Sequence, residues 1–169
     1  MRMMRVLMTI VVLSLTIFGA SCGESAPPTP LTVTEYVEWH SSIMDSMIAI
    51  DTAAEVESKR ALELAMSGDP SFWQVMEESY VTAAEGYKRI RNEWDASTPP
   101  PVFTEYHTCQ SYFIDEIIRA DEMIIRGARE HDSSVGNAGT DIIGEAIDTG
   151  LSCGILYKQI CDAEGVKLQ

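Results

Sequence analysis

Basic residues are scarce in this chain. Its 169 residues carry 12 Lys and Arg against 26 Asp and Glu, a net charge of −14. Proteins that track nucleic-acid phosphates, or that adsorb electrostatically to anionic lipid, draw their affinity from clustered Lys and Arg, so the balance argues against both. A long apolar run is missing too: the longest, residues 6–18, falls short of the ~20 residues a membrane-crossing helix needs. Prolines number seven while 46% of residues are hydrophobic, which argues against global disorder. There is no glycine-rich phosphate loop, nucleophile elbow or zinc-protease helix motif. The paired Glu-x-x-His of di-iron bundles and the Cys-x-x-Cys-His of bundle cytochromes are absent as well. In Glu38-Trp39-His40 and Glu105-Tyr106-His107 the spacing is wrong, because residues two apart point to different sides of a helix. No stretch alternates with the period of two that marks a strand.

What is present begins with a leader. Residues 1–21 form a basic head containing Arg2 and Arg5, the apolar run, and the small residues Gly19-Ala20-Ser21 before Cys22, the layout of a secretory signal peptide. Small residues directly before a cysteine resemble the processing site of bacterial membrane lipoproteins, although Gly19 stands where such sites usually carry Leu. The resemblance covers this segment alone. It implies that Cys22 becomes the first residue of the mature protein and carries lipid of the palmitate class, anchoring the chain outside the cytoplasm. Residues 22–30, with three prolines, then read as a semi-extended tether. Removing residues 1–21 takes away two arginines and no acids, so the mature chain has a net charge of −16.

The remaining 139 residues, 31–169, read as one all-α domain. Breaker clusters at 67–70, 97–101 and 132–139 divide them into four segments. In the first, Thr32 and Glu35 fit a capping box, and Tyr36, His40, Ile43 and Met47 recur at helical spacing. Asp69-Pro70 suits the start of the second, whose stripe includes Ala83, Tyr87, Ile90 and Trp94. The third continues with Tyr106, Gln110, Phe113 and Ile117, the fourth with Ala146, Cys153, Tyr157 and Ile160. Four amphipathic helices joined by short loops hide their stripes only against one another, which predicts an up-down-up-down four-helix bundle.

A weak internal repeat favours two related helical hairpins. Shifting the chain by 70 residues aligns Thr34-Glu35-Tyr36 with Thr104-Glu105-Tyr106, Asp51 with Asp121, and Tyr87-Lys88 with Tyr157-Lys158. Nine identities in about sixty positions are also what two amphipathic hairpins produce by register alone.

Three cysteines follow Cys22. With the last loop at 132–139, Cys109 and Cys161 stand equally far from it on antiparallel helices. This predicts a Cys109–Cys161 disulfide and leaves Cys153 as a buried thiol about two turns away.

Candidate chemistry is sparse. His40, Met44 and Met47 on the first helix, with His107 at the start of the third, form a candidate soft-metal site of imidazole and thioether ligands, with Cys109 beside it. The competing expectation is a core histidine among filler methionines. Asp45 with Asp115, and Asp51 with Asp121, are repeated carboxylates suited to holding a cation or sharing a proton. The sequence thus predicts an envelope lipoprotein without enzymatic activity or cofactor. In that reading an acidic helical module, tied to a membrane by its lipid, engages an unknown protein or envelope component and not nucleic acid. The alternative is a bundle that binds a metal or small ligand near His40, Met44, Met47 and His107.

Overall fold

The Thr32 hydroxyl accepts a hydrogen bond from the Glu35 backbone N–H at 3.3 Å while the Glu35 carboxylate accepts from Thr32 N at 2.8 Å, so the expected capping box opens the first helix. In this computed structural model, which describes residues 29–166, α1 spans Val33–Ser67, α2 Phe72–Ala96, α3 Thr104–Glu130 and α4 Ser133–Ala163. A 3-10 turn, Pro101–Phe103, leads into α3. The leader, Cys22 and most of the tether lie outside the described residues. Among those described, no strand occurs, and no helix is long and apolar enough to cross a membrane.

The turns follow from local chemistry. Gly68 takes a left-handed φ of 73° and ends α1, with Gly68 N donating to Ala65 O and Asp69 N to Leu64 O. Asp69 accepts from Ser71 N at 2.9 Å and starts the turn into α2. The proline run 99–101 separates α2 from α3, and Asp132 caps α4 by accepting from Ser134 N at 2.9 Å. Successive helices pack against each other in an all-α, up-down-up-down four-helix bundle. The interhelical ion pairs among the described residues, Lys88 with Glu122, Arg91 with Asp115 and Arg129 with Glu77, all join α2 to α3.

Residues 133–139 are a correction. They form the first two turns of α4, so the α3–α4 turn is only His131-Asp132. Neither glycine there breaks the helix: Gly139 allows close helix packing, while a Cβ on Gly136 would meet open space. A Cβ on Gly139 would lie 2.8 Å from Ala120 O, and one on Gly127 would lie 2.5 Å from Gly136 N.

The shifted turn changes the expected disulfide. Moving its midpoint from 135.5 to 131.5 lowers every residue of α4 against α3 by eight positions, and the cysteine opposite Cys109 becomes Cys153. The bond is Cys109–Cys153, with Cα atoms 5.7 Å apart, and not Cys109–Cys161; Cys161 is a buried free thiol. The gapless repeat fails in its second half for the same reason. The first hairpin turns near residue 69 and the second near 131, some 62 residues later instead of 70. Thus α1 and α3 keep comparable heights, while α4 is displaced by about two turns from the position equivalent to α2.

Candidate functional site

At the end of the bundle where α1 and α3 begin, the buried side chains are aromatic. Tyr36, Trp94 and Phe103 are fully enclosed, and Tyr106 and Tyr157 nearly so. The capping box sets the start of α1, and successive turns then point Tyr36, His40, Ile43 and Met47 inward. The 3-10 turn places Phe103 against Tyr36, with ring centroids 4.7 Å apart.

Both histidines of the candidate metal site lie in this cluster. His40 Nε2 shares a hydrogen bond of 2.5 Å with the Tyr106 hydroxyl, and the His40 ring stacks on Tyr157 with centroids 4.2 Å apart. His107 Nδ1 lies 3.1 Å from the Tyr36 hydroxyl, and its ring stacks on Trp94 at 4.5 Å. Trp94 donates its indole N–H to the His107 carbonyl at 3.1 Å, which ties α2 to the start of α3. Met44 packs half-buried against the core. Met47 is buried, and its sulfur lies 3.9 Å from Gln110 Nε2. Among the described residues, no group of three or more His, Cys, Asp and Glu is arranged to hold a metal. Burial holds His40 at a pKa of about 4 and also lowers His107, so both imidazoles are neutral near pH 7. Burial pushes the Tyr36, Tyr106 and Tyr157 hydroxyls well above their ordinary range, leaving them as neutral hydrogen-bonding groups.

A second polar cluster lies lower in the bundle. Tyr87 on α2 donates to Asp51 on α1 at 2.7 Å. Asp121 on α3 is 3% exposed, and its Oδ2 has no hydrogen-bond partner among the described residues. Burial, reinforced by the charges of Asp51 and Glu122, pushes the Asp121 pKa up to about 7. Asp51 is also raised, because its partial burial outweighs the Tyr87 hydrogen bond. The charge of Asp51 thus reaches Asp121, but among the described residues no hydrogen bond joins the two carboxyl groups. The other pair separates: Asp45 is exposed, and Asp115 accepts from Arg91 at 2.8 Å.

Sequence reasoning brought His40, Met47 and His107 to similar height but did not place Tyr157 on His40. Tyr157 would stand opposite residue 114 with a turn centred at 135.5, and stands opposite Tyr106 with the observed turn. The ring centroids of Tyr106 and Tyr157 are 4.9 Å apart. Gly127, Gly136 and Gly139 were the available signal, spaced to face one another across an antiparallel pair. Compared with known families, with curated proteins and with solved structures, the chain matches none.

Proposed function

We propose that the chain is an exported, membrane-tethered and non-catalytic binding module. Its acidic bundle, held at a membrane surface by lipid on Cys22, engages a protein or other envelope component through an outer helix face. The observation that carries this reading is the outer side of α4, where Ile147, Leu151 and Ile155 are spaced by four residues and each is more than half exposed. On a surface rich in carboxylates, an apolar stripe of this kind is typical of a face that meets a partner. The Cys109–Cys153 bond supports the compartment, since disulfides persist where conditions are oxidising. The net charge supports the tether: an acidic domain is repelled by anionic headgroups and needs lipid to stay near them.

Two measurements test the reading. A photo-crosslinking residue at position 151, in the native envelope, gives a discrete adduct that the same residue at position 152 does not give and that Ile147→Asp with Ile155→Asp removes. Equal adducts from both positions, or none from 151, overturn the partner face. Intact mass of the membrane-extracted protein gives a lipidated chain beginning at Cys22; an unmodified chain beginning at Met1 overturns the anchor.

A further inference from the structure

Besides its inward residues, α1 carries a second stripe. Ile48, Thr52, Glu55, Lys59, Leu62 and Met66 follow one another at alternating steps of four and three, the repeat of a coiled-coil seam, and all six are exposed. At ~100° per residue they fall within about 80° of one another around the helix, roughly a third of a turn from the inward Tyr36, His40, Ile43 and Met47. The stripe runs from Ile48 to Met66, about 27 Å at ~1.5 Å per residue. Val56 stands beside it, and Ile48, Val56, Leu62 and Met66 are each more than half exposed.

The order of the stripe is complementary to itself. Laid antiparallel on a second copy about a two-fold axis at residue 57, it pairs Ile48 with Met66, Thr52 with Leu62 and Glu55 with Lys59, each pair occurring twice. The acids that flank the seam, Asp51 and Glu63, then stand beside Ala65 and Ala49, and Val56 meets its own counterpart across the axis. Within one chain Lys59 already donates to Glu55 at 2.6 Å, so pairing closes an alternating set of two carboxylates and two ammonium groups. The seam therefore carries no net charge, although the chain carries −14. A parallel pair would set Glu55 on Glu55 and Lys59 on Lys59, and like charges across a contact weaken it. The α4 stripe lacks this property, because the antiparallel register that joins Ile147 to Leu151 brings Asp148 onto its own counterpart.

We propose that a second copy of this chain docks on the outer stripe of α1, forming a two-fold symmetric, antiparallel helix pair centred at residue 57. Thr52, Glu55 and Lys59 in the seam fix its register and cost affinity, so the pair forms and parts in the micromolar range. At lower concentration the chain is single and the stripe lies open to solvent. The α4 face takes no part, so either surface can fail without the other.

Sedimentation velocity of the purified full chain tests the pairing, with circular dichroism to check that each variant is folded. The dimer fraction should grow between about 1 and 100 μM. Glu55→Lys or Lys59→Glu alone sets like charges across the seam and raises the dissociation constant at least about tenfold, whereas the two together restore it to within about threefold of the parent. A short thiol-reactive linker joins Ile48→Cys in one copy to Met66→Cys in another, and does not join Ile48→Cys to itself. A chain still monomeric at about 100 μM, or a folded double variant as weak as either single one, overturns the docking. Linkage of Ile48→Cys to itself overturns the antiparallel register. A dimer that Leu151→Asp breaks and Leu62→Asp leaves intact puts the second copy on α4 and overturns the α1 site.

Discussion

The two halves of α1 share one helix and one periodicity but have opposite surroundings. From Tyr36 to Met47 its inward residues are enclosed by α2, α3 and α4 through rings, a disulfide-braced hairpin and histidine–tyrosine hydrogen bonds. Beyond Asp51 it packs through Ala54 and Ala61 onto α2, while Val56, Leu62 and Met66 stand in solvent. Among the described residues no Cα atom of α1 comes within 8 Å of α4, and the His40 ring reaches across the gap to stack on Tyr157. Side-chain size decides which half closes: Tyr36, His40 and Tyr157 span a distance that alanine cannot.

The sharpest way to break the comparison is to empty the closed half. Trp94 is fully buried and touches Trp39, His40, Tyr106 and His107. Trp94→Ala removes that packing and the hydrogen bond to His107, and is expected to cost about 3–5 kcal/mol in denaturant unfolding. A loss under ~1 kcal/mol would show that the aromatic cluster does not hold the bundle together. The disulfide ranks next. It joins residues 44 apart, and replacing both cysteines with Ala is expected to cost about 3–4 kcal/mol, read as a lower midpoint. If Cys161→Ala alone has the same effect while Cys153→Ala alone has little, the pairing assigned here is wrong.

How far the fold could be read beforehand follows from these residues. Thr32, Glu35 and the inward stripe of α1 act locally, so the capping box and the first three helices were legible. The helix at 133–139 was not, because a glycine such as Gly139 carries the same local signal whether it frees the chain or admits a neighbouring helix. That ambiguity moved α4 by two turns and carried both the disulfide and the Tyr157–His40 stack with it. Asp121 was visible as a carboxylate repeated from Asp51, but its burial is tertiary and sequence spacing does not report it.

Protonation gives a smaller and more discriminating test, because the two polar clusters act in opposite directions. His40 has its folded pKa depressed from 6.5 to about 4, so as pH falls through 6.5 the unfolded chain gains a proton that the folded chain refuses, and stability drops. Asp121 has its folded pKa raised from 3.8 to about 7, so as pH rises above 3.8 the unfolded chain ionises while the folded chain stays protonated, and stability again drops. Between roughly pH 4 and 6.5 each state holds one proton the other lacks, and the slopes cancel. The parent protein should therefore show a nearly flat stability profile there. Asp121→Asn should expose a profile rising with pH and His40→Gln one falling with pH, each by up to about 1.4 kcal/mol per unit. Parallel profiles in the two variants would mean that the groups are not both held neutral inside the fold.

The smallest effects belong to the open half of α1. Leu62 is 61% exposed and Met66 82% exposed, so truncating either to Ala removes little buried surface and should change stability by less than about 0.5 kcal/mol. The same positions placed inside a closed bundle would each lose about 2–5 kcal/mol, which makes the pair a gauge of whether this half is covered. Amide exchange sharpens the point: residues 55–66 should exchange faster than residues 36–47 of the same helix, since local opening there uncovers few packed side chains. A large loss at Leu62, joined by strong protection of residues 55–66, would mean that a surface absent from the bundle itself covers this face of the protein in solution. The comparison between the halves would then become one between two interfaces, one made within the chain and one made with a partner.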